Sequence, residues 1–275
     1  MEKSITATAA FKAAEVYEQF FVPGIFRYWT PQLLRRALPK PGQTVLDVAC
    51  GTGIVARSTV PLVGKGGRVV GLDINPAMME TACQQFGDHC EYIEWREGWA
   101  EQLPFTDQEF NLVTCQQGLQ FFRDRAQAAR EMRRVLKSGG RAVIEVWQPL
   151  KKQSLYGAFF NVIAEVFQIK TAEIATPYSF GNPDDLKFLL AEAGFRKVQV
   201  EEITQDVRFE NTDRFVELTI RAAGAVVPAF AALDQAAQSD LMEKAACAMA
   251  AYIDEMTVNG VLIFPTAANI ATAVR

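Results

Sequence analysis

Val45-Leu46-Asp47-Val48-Ala49-Cys50-Gly51-Thr52-Gly53 reads as an apolar strand that runs straight into a glycine turn. Val45, Leu46 and Val48 have the character of a parallel strand buried on both faces. Gly51 and Gly53 let the backbone turn sharply and approach a bound group where a Cβ would collide. Asp47 then stands near the carboxyl end of the strand, the end at which open α/β sheets bind ligands. A nucleoside cofactor needs this arrangement.

Twenty residues beyond Gly53 comes Asp73, closing a second apolar strand in R-V-V-G-L-D-I-N-P, Arg68 to Pro76. An acid there can accept hydrogen bonds from both hydroxyls of a ribose. Two cofactor classes fit. Gly51, Gly53 and Ala56 match the dinucleotide fingerprint G-x-G-x-x-A, which allows a nicotinamide or flavin site. Asp47 favours the other class, because a pyrophosphate at the turn would repel its carboxylate, whereas the ammonium and sulfonium of S-adenosylmethionine would attract it.

The rest of the chain alternates in the same way. Strands are expected at Thr44–Ala49, Arg68–Asp73, Glu91–Glu94, Leu112–Gln116 and Ala142–Trp147, with helices over 53–62, 76–86 and 125–136 between them. That alternation implies right-handed crossovers and a parallel sheet. Residues 9–37 read as helical up to Pro23-Gly24 and again from Pro31, an aromatic-rich cap. Residues 151–182 are too apolar for a linker and read as helical cover. A helix at Asp184–Ala193, a strand from Lys197 to Val207 and a helical insertion at Thr212–Met256 follow.

Composition narrows the class. A chain of 275 residues with 49% hydrophobic content can bury a large core, and a net charge of −4 argues against a nucleic-acid partner. The five cysteines, at 50, 83, 90, 115 and 247, form an odd set without C-x-x-C spacing, which predicts reduced thiols in a cytoplasmic protein. Glu2 and Lys3 precede no apolar run, so no secretory signal is expected, and no stretch is apolar for long enough to span a membrane. The oligomeric state stays open, with a homodimer as one possibility.

Taken with A-E-Q-L-P-F at Ala100–Phe105, F-N-L-V-T-C-Q-Q-G-L-Q-F-F at Phe110–Phe122 and E-M-R-R-V-L-K-S-G-G-R at Glu131–Arg141, the chain resembles the class I S-adenosylmethionine-dependent methyltransferases. Within them it is similar to the ubiquinone/menaquinone-type small-molecule enzymes. The likeness runs from about Thr44 to Val200. It implies a Rossmann-like, doubly wound, mostly parallel seven-stranded sheet, with Ala268–Val274 as an antiparallel last strand at the sheet edge. It implies a single methyltransferase domain over 1–275: a helical cap at 1–40, a cofactor core at 41–150, and insertions at 151–182 and 210–258 covering the substrate site. The implied cofactor is S-adenosylmethionine, held by Asp47, Ala49, Gly51, Gly53, Asp73, Ile74, Met78, Ala100, Glu101 and Gln116. Three positions depart from the family pattern. Ala49 replaces its first glycine, Asn111 its F-D-x-V acid, and Trp99 the acid that faces the adenine amino group, so that contact is either lost or supplied otherwise, as by Glu101.

Tyr17, Phe121 and Trp147 are the candidate substrate contacts, and Tyr17 and Glu145 the candidate catalytic groups. Glu145 lies within the expected strand A-V-I-E-V-W, where an unpaired charge is costly. It is either paired, with an arginine of the 119–134 region, or functional. His89, the only histidine, falls at the amino end of the sheet, so neither a histidine–cysteine metal site nor a serine–histidine triad can be assembled. Displacement at a sulfonium is served by positioning and exclusion of water, which suits carbon, oxygen or sulfur nucleophiles that are soft or already ionised. Two alternatives share the cofactor motifs: a different reaction at the same cofactor, and a non-catalytic binding protein. A nicotinamide-dependent oxidoreductase is a third.

Overall fold

The structure is a computed structural model that describes residues 11–210, 212–223 and 234–275. The first ten residues of the expected cap, and residues 211 and 224–233 of the expected 210–258 insertion, lie outside the described residues. The strands are β1 (Thr44–Val48), β2 (Arg68–Asp73), β3 (Ile93–Glu97), β4 (Phe110–Gln116), β5 (Leu136–Trp147), β6 (Arg196–Phe209), β7 (Thr257–Val258) and β8 (Val261–Val274). The helices are α1 (residues 11–37), α2 (Ile54–Val63), α3 (Pro76–Phe86), α4 (Arg125–Val135), α5 (Ser154–Phe167), α6 (Thr171–Ile174), α7 (Pro183–Glu192), α8 (Phe215–Ala223) and α9 (Gln235–Met256).

The sheet order is β3-β2-β1-β4-β5-β8-β6, with β7 paired to β8 as a short hairpin. Strands β1 to β5 are mutually parallel, and β8 runs antiparallel to β5 over Arg141–Trp147. This is the expected doubly wound, mostly parallel sheet with a reversed last strand, but that strand does not form the edge: β8 lies between β5 and β6, and β6 takes the edge.

The chain forms two compact units. One comprises Trp29–Gln148, Phe180–Ile203 and Ala268–Arg275, and holds β1 to β5. Its strands bury Leu46, Val48, Val70, Leu72, Val113, Cys115, Ile144 and Val146 together with Ala128, Ala129 and Met132 of α4 and Leu186 and Leu190 of α7. Each large apolar side chain so buried contributes roughly 1.5–3 kcal/mol. The helices start where the sequence supplies caps. Asn75 Oδ1 accepts from the Ala77 amide ahead of α3, Asp124 Oδ1 from Gln127 ahead of α4, and Asn182 Oδ1 from Asp184 ahead of α7.

The other unit comprises residues 11–28, 149–179 and the described residues of 204–267. Its centre is aromatic. Phe20 meets Phe209 at 4.7 Å, Phe209 meets Phe215 at 5.1 Å, and Tyr156 lies edge-on to Phe264 at 5.4 Å.

Three local expectations are corrected. The helix does not break at Pro23-Gly24, because residues Tyr17–Phe26 adopt a wide π-helical turn in which the Arg27 amide reaches back to the Val22 carbonyl. A wide turn accommodates proline's missing N–H. Gly24 serves packing, since a Cβ there would stand 2.2 Å from the Phe209 ring. The third strand begins at Ile93 rather than Glu91, because Gly87–Tyr92 winds into a 3-10 turn that presents His89 between the rings of Phe86 and Tyr92. That turn brings Cys90 back onto α3, where it forms a disulfide with Cys83 across a Cα separation of 5.0 Å. The expectation of five reduced thiols therefore fails for this pair, while Cys50, Cys115 and Cys247 are free.

Candidate functional site

Strand order reverses at β1, whose neighbours β2 and β4 lead to opposite edges of the sheet. A crevice at the carboxyl ends of the strands is the expected ligand site at such a switch point. Asp47 of β1 stands directly beside Thr114 of β4 in register, and the Thr114 hydroxyl donates to Asp47 Oδ1 at 2.8 Å. Asp47 Oδ2 is buried with no hydrogen-bond partner among the described residues. Burial, partly offset by hydrogen bonds from the Thr114 hydroxyl and the Ala56 amide, pushes the Asp47 carboxyl up to about 7. A buried carboxylate oxygen without a donor is a place for a cation or an N–H group.

The turn above it is held in left-handed backbone. Ala49, Gly51 and Gly53 have φ of 55°, 55° and 80°. The alanine at the first of these positions bears the strain of a Cβ in that region, and the adjoining space is cleared by Gly118, where a Cβ would stand 2.5 Å from that of Ala49. Asp73 fastens the turn to the end of β2. Its Oδ2 accepts from the Gly51 amide at 2.8 Å and its Oδ1 from the Asn75 amide at 2.9 Å. Burial raises the Asp73 carboxyl above its ordinary value, and these amides oppose that shift. Gly53 opens α2, and Trp95 of β3 lies so close that a Cβ on Gly53 would stand 2.5 Å from the indole.

Beyond Asp73, Ile74 is exposed while Met78 and Ala100 are buried. Trp99 is exposed, with the Arg123 guanidinium 4.6 Å from its ring centre. Glu101 turns towards the start of α4, where its Oε1 accepts from the Arg123 and Asp124 amides at 2.9 and 3.3 Å. It fastens that loop.

Glu145 is fully buried, and its partners correct the expected arginine pair. Gln117 Nε2 donates to it at 2.9 Å and Gln116 Nε2 at 3.3 Å. The Thr30 hydroxyl donates to Gln116 Oε1 at 2.9 Å, and Gln120 Nε2 donates to Gln117 Oε1 at 3.0 Å. Burial, opposed by the glutamine amides and by the charge of Arg36, pushes the Glu145 carboxyl up to about 8. The group is a neutral acid through most of the physiological range. Arginines 125 and 134 of the suspected region are committed elsewhere, to the carbonyls of Gln120, Leu103 and Phe105 and to Glu131. Trp147 is buried edge-on to Trp29 at 5.5 Å, and Phe121 is exposed at the end of a 3-10 turn.

Asp47, Ala49, Gly51, Gly53 and Asp73 thus form one constellation, and Gln116 and Glu145 a second in the same unit. Tyr17 belongs to the other unit, half-buried between Phe21 and Phe26. Sequence reasoning missed Thr114, Gln117, Gln120 and Gly118. The one available signal was three glutamines within C-Q-Q-G-L-Q, Cys115 to Gln120, unusual where an apolar strand ends. It also missed Tyr156 and Thr219, whose hydroxyls are buried in the aromatic unit without a hydrogen-bond partner among the described residues. Among the described residues no cluster of three or more His, Cys, Asp or Glu side chains is arranged to hold a metal ion.

Residues 12–211 match the model of the ubiE/COQ5 methyltransferase family. The chain is 33% identical over 208 residues to the ubiquinone/menaquinone biosynthesis C-methyltransferase UbiE of Laribacter hongkongensis, covering 71% of this chain and 84% of that one. It is 32% identical over 185 residues to the demethylmenaquinone methyltransferase of Alkalihalophilus pseudofirmus, covering 63% and 78%. In fold it is similar to the YcgJ protein of Bacillus subtilis, with a TM-score of 0.59 at 18% identity over 90% of this chain and 97% of that one.

Proposed function

We propose, from the premise that the chain belongs to the ubiE/COQ5 methyltransferase family and is an S-adenosylmethionine-dependent small-molecule methyltransferase, that its acceptor is a hydroxylated aromatic of the quinol type, methylated on a ring carbon. The observation that carries the cofactor assignment is Asp47 Oδ2, a buried carboxylate oxygen lacking a donor beside a turn of left-handed backbone. The methionine ammonium fits that oxygen. Asp73 would hold the ribose hydroxyls, and the turn at Gly51 and Gly53 lets the backbone come close. When bound, S-adenosylmethionine supplies a methyl group activated by its sulfonium.

The chain itself orients the acceptor, excludes water and manages one proton. A quinol becomes a strong carbon nucleophile when a hydroxyl ionises, so a carboxyl with an affinity for protons near neutrality is useful. Glu145 is our candidate for that group and Tyr17 the alternative. The test is transfer of a labelled methyl group to a panel of quinols, phenols, thiols and amines. Labelling of quinol ring carbon is expected; labelling confined to thiols or amines would overturn the acceptor while leaving the cofactor site standing.

Among the described residues no helix is long and apolar enough to cross a membrane. We place the protein in the cytoplasm, to be tested by fractionation; its oligomeric state is to be read by sedimentation. A reducing compartment would open the Cys83–Cys90 pair, which thiol trapping in cells would reveal.

A further inference from the structure

Trp99 is the feature of the cofactor side that the mechanism leaves unused. It is a large aromatic residue 44% exposed on the loop that follows β3, and Ile74, 46% exposed, follows β2. These strands are neighbours, with Asp73 opposite Glu97 in register. The Gly98 amide donates to the Asp73 carbonyl at 3.0 Å, so the loop carrying Trp99 is tied to the residue assigned to the ribose. A nucleoside whose sugar rests on Asp73 must direct its base towards this pair of exposed apolar side chains. The Arg123 guanidinium covers one face of the indole at 4.6 Å, and the backbone at Arg123 is itself fixed by Glu101. That arrangement steadies the ring while its other face stays available.

We propose that Trp99 is the base-recognition residue of this site: its free indole face stacks on the purine, opposite Arg123, so that the ring is read by its face rather than by its 6-amino edge. An indole has one donor and no acceptor, so it cannot accept a hydrogen bond from an exocyclic amine. Glu101, the neighbouring carboxylate, is engaged with the Arg123 and Asp124 amides. Stacking is tolerant of base identity because every purine has a π face. The consequence is a specificity that tolerates a 6-oxo group in place of the 6-amino group. The inference rests on the cofactor reading above.

The test uses titration calorimetry and tryptophan fluorescence on the full chain with S-adenosylhomocysteine and its 6-oxo counterpart, S-inosylhomocysteine. Trp99→Ala is expected to weaken S-adenosylhomocysteine binding roughly tenfold to a hundredfold, the usual cost of losing one stacked base, while Trp99→Phe retains most of the affinity. The fluorescence change on binding should be smaller in Trp99→Phe, where Trp95 beside Gly53 still reports, and the parent should bind the 6-oxo ligand within tenfold of the 6-amino one. Trp99→Asp, which restores an acceptor, should reject the 6-oxo ligand. The exposed position makes each variant compatible with folding, and melting curves check this. Less than a fivefold loss in Trp99→Ala, or a parent preference above tenfold for the 6-amino ligand, overturns the proposal. If the parent binds S-adenosylhomocysteine and Asp73→Ala does not, such a result removes Trp99 alone; if the parent does not bind it, the cofactor assignment itself falls.

Discussion

Binding at Asp47 should be coupled to release of a proton, and the size of the coupling follows from the geometry. In the ligand-free protein burial holds this carboxyl at about 7 against an ordinary value of 3.8. A folded value raised above the unfolded one means that ionisation opposes folding. Stability is therefore lost as pH rises from 3.8 towards 7, with a full cost of about 4 kcal/mol above that. A ligand ammonium on Asp47 Oδ2 needs the carboxylate, so binding strips the proton that the empty site retains. Below the folded value the apparent affinity should fall about tenfold per pH unit; between pH 8 and pH 6 the loss is roughly tenfold, and near pH 7 about half a proton is released per ligand bound. Calorimetry of S-adenosylhomocysteine binding in buffers of different ionisation enthalpy reads both quantities. Asp47→Asn should weaken binding at pH 8 and abolish the pH slope. A parent enzyme that releases no proton between pH 6 and 7, or an Asp47→Asn variant that keeps the slope, would refute the placement of the ammonium.

Three further perturbations separate the remaining roles. Glu145→Gln should be more stable than the parent by a margin that opens as pH rises from 4.5 to 8, reaching about 3 kcal/mol at pH 7, because the amide never has to ionise in the interior; urea unfolding at several pH values checks this, and a margin independent of pH would refute it. The same variant should slow transfer to weakly acidic acceptors and leave strongly acidic ones unaffected. Gly53→Ala should cost roughly 1–2 kcal/mol from its left-handed backbone alone, and more as Trp95 is displaced, which denaturant titration would measure. Tyr156→Phe should stabilise the protein by about 1 kcal/mol by removing a buried hydroxyl that has no partner among the described residues; urea unfolding checks this, and an unchanged stability would refute it.

The cofactor side was legible because its constraints are local. Val69-Val70 and Val143-Ile144 announce buried strands, and the left-handed positions of the turn fall on Gly51 and Gly53, the residue type that such backbone favours. Ala49 shows the limit of that logic. The relief for its Cβ comes from Gly118, 69 residues away, and no local pattern connects them. Likewise the wide turn at Pro23 follows from no propensity and coincides with the close approach of the Phe209 ring to Gly24, a contact made across the sequence.

Glu145 was recognised as costly but given the wrong partner, and the reason is instructive about buried charge. An arginine is the obvious neutraliser of a carboxylate, yet burying two ions is expensive and the arginines of that region instead hold carbonyls and a partly exposed acid. The interior answers the problem by letting the carboxyl keep its proton and surrounding it with amides. Glutamines suit this because each both donates and accepts: Gln116 and Gln117 present Nε2 to the acid while their Oε1 atoms accept from Thr30 and Gln120. An arginine would fix Glu145 as a permanent anion with a depressed proton affinity. The glutamine surround keeps that affinity near neutrality, which is the condition a proton-accepting group must meet, and it makes the three glutamines of C-Q-Q-G-L-Q the sequence trace of the chemistry at Glu145.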